Sequence, residues 1–488
     1  MERKWWTLIA VSVATFMLLL DITVVNTALP AIEEDLDATF TDLQWVVDAY
    51  TLSLAALVLT AGVLADRLGR RRVFAVSLAL IAQEFSAGRE RGMAMGVYGA
   101  TIGIAVAVGP LVGGALTEWI GWESIFFLNV PIGIAAIAIT YLRVRESRDP
   151  NASRIDWAGL VTFSSSLFLL VLGLLRGNDE GWGSTLIVSL LAGSAVLMAA
   201  FLFIETRAKE PMLPLHLFKK PSFTGVQLAA LAVSSSMFAL FLYLTLYLQG
   251  YLGHDPIEAG LRYLPITVVN FFVAAGTGAL LSRVQARVLI SAGLGITGLG
   301  LLLMGGIDPT DDWTGLLAGF LLTGAGVGLI NPAIADVAVS VVPKEQSGMA
   351  SGINDTFRQV GIAIGIAAWG AIFLGRGAAK VEQVAAGTPA ATGDRPRQLV
   401  EAVSSGNLDS ALANVPPGSR AGVADAARSG FLSGINEILM LGGIIAIVGA
   451  LFALWLIRED EIERETPIEV EPEYAPETGE MILEPIAA

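Results

Sequence analysis

Gly62-Val-Leu-Ala-Asp66-Arg67-Leu-Gly69-Arg70-Arg71-Arg72-Val-Phe74 is the stretch on which the reading of the fold turns. An apolar run over 43–65 ends here in one acid and four arginines. Charge placed so marks the point where a helix leaves a bilayer, and Gly62 and Gly69 let the chain turn tightly. The next apolar run, Val73 to Ala82, makes only roughly 15 Å of helix at about 1.5 Å per residue. A hydrocarbon core is ~30 Å thick, so the segment after the basic turn is too short to cross it.

The class follows from composition. The chain of 488 residues is 54% hydrophobic and 15% charged, against about 25% charged in soluble domains, and its mean hydropathy is +0.66. This is an all-α polytopic membrane protein. Its formal net charge of -15 is mostly local, because the tail from Arg458 to Ala488 holds eleven acids and two arginines. That Glu- and Pro-rich end, 458–488, reads as a disordered cytoplasmic tail. With no cysteine and two histidines, His216 and His254, disulfides are excluded and Cys/His metal or catalytic clusters have almost no material.

Stretches near the ~20 residues needed to cross a bilayer fall at 5–29, 43–65, 93–116, 125–142, 157–175, 184–204, 223–248, 263–281, 288–306, 314–335, 350–373 and 431–457, twelve in all. The first is read as a span, not a signal peptide, because no small-residue cleavage site follows it. Short loops on one side carry 17 Lys and Arg and the short loops on the other carry 2, which places both termini and the Arg70–Arg72 cluster in the cytoplasm. The sequon Asn151-Ala-Ser153 then falls in a cytoplasmic loop and is a chance match. The long outside loop 374–430 carries no assignable chemistry.

An internal repeat relates the halves. Gly62, Leu64, Arg67 and Arg71 match Gly278, Leu280, Arg283 and Arg287 at an offset of 216, whereas Gly92-Met93-Ala94 and Gly96 match Gly348-Met349-Ala350 and Gly352 at 256. The offsets differ by 40 residues, an interval that in the second half holds two spans, 288–306 and 314–335, and in the first only Val73 to Ala82. One helical hairpin is missing near 73–85 on this reading; natural divergence of the halves is the alternative. The domain reading is an amino-terminal bundle (1–142), two extra linker spans (143–222), a carboxy-terminal bundle (223–457) and the tail.

Several motifs resemble those of the major facilitator superfamily, in its 14-helix drug/proton antiporter branch. Leu20-Asp21-Ile-Thr-Val-Val-Asn26-Thr-Ala-Leu-Pro30 resembles the first-helix motif, Gly62 to Arg72 the cytoplasmic signature loop, and Gly109-Pro110-Leu-Val-Gly113-Gly114 the fifth-helix antiporter motif. Trp45, Tyr50, Asn129-Val-Pro131-Ile-Gly133 and Arg358-Gln359-Val-Gly361 also stand where that branch has them. Two departures are Trp122-Glu123-Ser124, where a Trp-Arg-Trp run is usual, and Ala105, where glycine is common. The resemblance implies a two-bundle fold with 14 spans. It also implies that the fourth helix, whose buried arginine is linked to proton coupling, lies in the missing interval.

The candidate residues can be weighed from physics as well. Asp21 ends twenty nearly continuous apolar residues, where an acid is costly; it is read as a proton or substrate-cation site, or as an acid that pairs helices. Asp66, with Arg67, Arg70 and Arg71, forms either a charge network latching one transport state or simple orientation charge beside the turn at Gly62 and Gly69. Gly109, Pro110, Gly113 and Gly114 allow a kink and close helix contact, and a sealing role is what the resemblance implies. Arg358, one turn from Asp355, is a proton-coupling candidate or half of a self-contained ion pair. Asp336 and Glu437, near span ends, are expected to reach water. Asn26, Tyr50, Tyr247, Gln249, Asn331 and Asn354 are candidates for lining a polar substrate cavity, or for pairing with neighbouring helices. Gly293-Leu-Gly295-Ile-Thr-Gly298 fits a dinucleotide fingerprint but lies inside an apolar span, so helix packing is expected.

The expectation is a proton-coupled efflux transporter of small amphipathic or cationic drug-like compounds, set in the inner (plasma) membrane, using the proton gradient and no cofactor. Its partners are substrate, protons and membrane lipid, and not nucleic acid. The alternatives are a non-transporting form that lacks its hairpin and a dedicated exporter of an endogenous metabolite. No enzymatic constellation of nucleophile, base or metal ligands is present.

Overall fold

The computed structural model describes residues 3–36, 38–50, 52–54, 81, 84–85, 89–144, 156–209, 211, 213–343, 346–413 and 415–462. Gly62 to Phe74, and with it Gly62, Asp66, Arg67, Gly69, Arg70 and Arg71, lies outside these residues, as do most of Val73 to Phe85 and the tail beyond 462. The described chain is all helical. It begins with α1 (Arg3–Leu36), a helical stretch over 40–50 that we call α2, and α3 (Arg89–Trp119), followed by α4 (Asn129–Arg143), α5 (Trp157–Glu180) and α6 (Thr185–Arg207). Helix α7 runs over Pro221–Tyr251 with two π-helical turns. Then come α8 (Leu264–Leu280), α9 (Ala286–Met304), α10 (Leu317–Ser340), α11 (Ser347–Val384), α12 (Arg395–Ser404) and α13 (Arg420–Leu456).

Among the described residues ten helices are long and apolar enough to span a bilayer, or eleven if the helix Pro256–Arg262 and α8, bent by 43°, form one span. Each span expected from the sequence coincides with one of these except 43–65, most of which lies outside the described residues. Local chemistry sets several helix starts. Asp156, Ser184 and Asp255 accept backbone N–H groups of Gly159, Ile187 and Glu258, satisfying donors that a helix start leaves free.

One group of helices has α1 packed on α3 and α4; the other contains α7 to α11 and α13; α5 and α6 form a hairpin that leans on α11. Helix contacts rest on glycine, as expected where lipid offers no hydrophobic drive and backbones must approach closely. A Cβ on Gly326 of α10 would lie 2.5 Å from the Gly293 carbonyl oxygen of α9, and one on Gly319 would lie 2.6 Å from that of Gly300. Gly293 and Gly298 are thus packing residues, Gly298 facing Gly443 of α13. The two groups meet where α3 lies along α8, with Gly92 and Gly96 against Gly278, Gly103 against Phe271, and Gly114 against Pro256.

The expected outside loop 374–430 needs correction. Helix α11 continues to Val384 and α13 begins at Arg420, with α12 and a short helix Leu408–Leu412 between them. In α12, Pro396, Leu399, Val400 and Val403 are buried, a 3–4-residue spacing that gives the segment an apolar face to dock.

Candidate functional site

Asp21 sits just past the middle of α1. Asn129, the first residue of α4, donates its side-chain amide to the Asp21 carboxylate, and the Tyr50 hydroxyl at the end of α2 hydrogen-bonds to the same group. Three helices therefore converge on one acid through neutral donors. Asn129 was read only as part of a motif. The Asn26 side chain lies outside the described residues.

A second polar group lies between the two sets of helices. Tyr98 of α3 hydrogen-bonds to Thr15 of α1, and the charges of Asp355 and Arg358 on α11 are close enough to act on its hydroxyl. Arg358 donates through Nη2 to Oδ1 of Asn331 on α10 at 2.8 Å. The expected Asp355–Arg358 pair is thus not self-contained but tied to α3 and α10. Asn354 donates to Gln227 of α7 at 3.0 Å, and Gln249 donates to the Thr27 carbonyl at 3.3 Å. Tyr247 is fully buried and stacks on Tyr251 and Phe431. The structure distributes Tyr247, Gln249, Asn331 and Asn354 among separate helix contacts and does not gather them round one cavity.

Asp48 on α2 is a third acid, 0% exposed, whose charge acts on Tyr243 of α7. Beside it Gln44 donates to the Tyr243 hydroxyl at 3.0 Å and to the Ile366 carbonyl at 3.1 Å, and Tyr243 donates to that same carbonyl at 2.5 Å. Sequence reasoning passed over Asp48, although an acid inside the apolar run 43–65 was a legible signal.

At the basic end, Arg91 of α3 forms an ion pair with Asp336 of α10 at 3.4 Å and donates to the Ser340 hydroxyl at 2.8 Å. Asp336 does not reach water as expected: its side chain is only 13% exposed and that of Arg91 7%. The physical reason is the helix after it, since α10 runs on to Ser340 and keeps Asp336 a full turn inside its end. Lys4 pairs with Glu90 at 2.6 Å at the same end. Glu437 is engaged as well, by Arg376 at 3.2 Å.

The glycine motif of α3 is a packing wedge. A Cβ on Gly109 would fall 1.8 Å from the Thr23 hydroxyl oxygen of α1, one on Gly113 3.1 Å from Val24, and one on Gly114 2.8 Å from Pro256. Pro110 packs its backbone against Gly260. Without side chains there, α3 is held between α1 and the Pro256–Arg262 helix. Near the basic end, an open apolar groove of about 550 Å³ is lined by Trp5, Leu8, Ile9, Ser12, Val13, Val97 and Thr101.

Comparison with known proteins agrees with this architecture. The family model described as Major Facilitator Superfamily matches residues 11–83 and 74–366. The chain is 31% identical to the tetracenomycin C resistance and export protein of Streptomyces glaucescens, covering 95% of this chain and 93% of that one. It is 34% identical to the puromycin resistance protein pur8 of Streptomyces alboniger, over 80% of this chain and 86% of that one. It is 28% identical to the multidrug efflux pump LfrA of Mycolicibacterium smegmatis, over 92% and 95%. Two solved structures share the fold at 15% identity: the human organic anion transporter MFSD10 (TM-score 0.50, covering 91% of this chain and 100% of that one) and a bacterial homolog of the human lysosomal transporter Spinster (TM-score 0.51, 96% and 100%). The alignment with the tetracenomycin C protein extends over 506 positions, yet 95% of this 488-residue chain is about 464 residues. Some 42 positions of that alignment therefore stand opposite gaps in this chain. The two stretches matched by the family model overlap at 74–83, inside the interval where the repeat offset changes.

Proposed function

The chain belongs to the Major Facilitator Superfamily, and from that premise we propose that it is a proton-coupled exporter of small amphipathic or cationic compounds, working by alternating access between its two bundles. It sits in the plasma membrane with both termini in the cytoplasm, as the distribution of basic residues supports. The observation that carries the reading is Asp21, an intramembrane acid held by Asn129 and Tyr50. Among the described residues its hydrogen-bond partners are neutral, and a carboxylate so held can accept a proton or a substrate cation. Arg358, tied to Asn331, supplies fixed positive charge on the other side of the bundle interface, and Asp48 is a further interior acid. The relatives named for resistance and efflux support that class of cargo.

The test is purified full-length protein in liposomes, with proton release or uptake followed as candidate cationic drugs are added. Drug-dependent proton flux is expected, with at least a tenfold loss in Asp21→Asn. Absence of flux across a panel of cations overturns the reading, and full coupling in Asp21→Asn removes the role of that acid. The second reading, a non-transporting form, is favoured by the 42 or so unmatched positions. Inserting a 40-residue helical hairpin between Ala75 and Ser77 separates the two, because activity that arises only on insertion supports the second.

A further inference from the structure

Helix α7 ends in the π-helical turn Tyr247–Tyr251. Beside it α9 stops at Met304, and the chain turns through 305–316 into α10. Asn436 of α13 pins that turn: its Oδ1 accepts the Gly306 and Ile307 N–H groups at 3.0 and 2.9 Å, and its Nδ2 donates to the Ile307 carbonyl at 3.0 Å. Between the turn and α7 lies a recess of about 170 Å³, several times the ~30 Å³ share of one water. Leu303, Ile307 and Leu316 give it apolar walls, and Tyr247, Asp311 and Asp312 line it as well. Tyr247 is 0% exposed, and its buried hydroxyl has no hydrogen-bond partner among the described residues, a costly state for a polar group. Asp311 and Asp312 are exposed and lie close enough for their charges to act on that hydroxyl.

We propose that this recess is an outward-facing binding site for a protonated primary or secondary amine, whose ammonium meets the two carboxylates and the Tyr247 hydroxyl while its hydrocarbon part lies against Leu303, Ile307 and Leu316. The outward placement rests on the orientation proposed above. The acids are held in place and kept charged: Asp311 accepts the Asp308 N–H at 2.8 Å, and the Thr314 hydroxyl and N–H on Asp312 hold its carboxyl below the usual value. Among the described residues neither acid has an ion-pair partner. His254, whose charge reaches Asp312, is taken by Glu258 at 3.0 Å, and Arg262 lies 3.7 Å from the same glutamate. The donor set does not suit a bare metal ion, since Ca²⁺ takes roughly 6–8 oxygens and no group of three or more Asp, Glu, His or Cys is placed to hold one among the described residues. An ammonium N–H fits better: it pairs with a carboxylate and gives the orphaned hydroxyl oxygen a donor.

The chain has no cysteine, so Gly315→Cys in the full-length protein puts a single thiol in the recess, where a Cβ meets Asp311 at an ordinary 3.8 Å. Its labelling by a membrane-impermeant thiol reagent is timed on intact cells with and without benzylammonium, each variant serving as its own reference. Benzylammonium is expected to slow the labelling several-fold and to leave Ser410→Cys, exposed on the short helix Leu408–Leu412, unprotected. Neutral benzyl alcohol at the same concentration does not protect. Tyr247→Phe removes only an unpartnered hydroxyl and is expected to fold; it raises the half-protecting concentration of benzylammonium about tenfold and leaves that of benzyltrimethylammonium, which has no N–H, unchanged. Asp311→Asn together with Asp312→Asn raises both roughly fivefold to tenfold. Absence of protection, equal protection by benzyl alcohol, or a Tyr247→Phe variant that binds benzylammonium as the parent does overturns the proposal. Labelling only after the cells are permeabilised overturns the outward placement. Protection requires no transport, so a chain that moves no drug can still bind the amine here, and an active exporter can fail to.

Discussion

Arg91→Ala tests whether the basic end is held shut by charge. Arg91 and Asp336 lie 3.4 Å apart with side chains 7% and 13% exposed. At an effective dielectric of about 20 such a pair attracts by roughly 5 kcal/mol. Desolvation of two nearly buried ions cancels much of that, and a net coupling on the order of 2–3 kcal/mol is left. If the pair exists only while the basic end is closed, its loss shifts the closed-to-open ratio roughly 30- to 150-fold. The assay is pulsed electron paramagnetic resonance in liposomes, with spin labels at Met93→Cys on α3 and Ser282→Cys in the turn between α8 and α9, on the cysteine-free background. Arg91→Ala should transfer population from the short-distance to the long-distance component, Asp336→Ala should do the same, and the double variant should add little to either. An unchanged distance distribution, or singles that add in the double within about 0.5 kcal/mol, refutes the latch.

The seam between α3 and α8 predicts that Gly278→Ala destabilises by about 1–3 kcal/mol, because its Cβ would lie 2.5 Å from the Gly92 carbonyl oxygen, whereas Gly276→Ala, which meets nothing within 4 Å, is neutral or stabilising; thermal unfolding in detergent separates them. Asn129→Ala should lower proton-coupled flux several-fold while leaving unfolding temperature nearly unchanged, and equal loss of both would make Asn129 structural. Burial raises the Glu33 carboxyl of α1 from 4.5 to about 7, so its contribution is complete below pH 4.5 and is lost as pH rises through about 7. The unscreened difference corresponds to about 3 kcal/mol, and partial exposure reduces it to roughly 1–2. The parent should therefore unfold at lower temperature at pH 8 than at pH 5, and Glu33→Gln should lose most of that difference.

Span positions were legible because lipid demands long apolar helices, and a run such as 288–306 admits no other reading. The glycine seams were legible as kind but not as partner: nothing in Gly109, Gly113 or Gly278 says which backbone each will touch. Interior acids were legible only where a known motif drew the eye to them. Asp21 was singled out and Asp48 was not, though both interrupt apolar runs. Asp336 was misjudged because the span was ended at 335, while α10 runs on to Ser340 and Arg91, 245 residues away in the chain, pairs with the acid there. The segment 385–419 lies within the stretch 374–430 that was read as a loop with no assignable chemistry. The 3–4 spacing of Leu399, Val400 and Val403 was the signal that it docks.

If one hairpin is absent from the first half, the repeat gives that a specific consequence. In the second half the corresponding interval supplies α9 and α10, which pack glycine on glycine, and α10 contributes both Asn331 to Arg358 and Asp336 to Arg91. On the gap reading, the first half lacks the counterpart of the helix that in the second half carries the polar partners. Among the described residues Asp21 is met by Asn129 from α4 and Tyr50 from α2, two neutral donors where the family resemblance implies an arginine. A guanidinium would hold Asp21 as a closed ion pair that a cation must break before binding. Neutral donors impose no such competition. On the gap reading, an acid met by neutral donors is more open to exchange with protons and cations, and transport and a shortened bundle are compatible on this point.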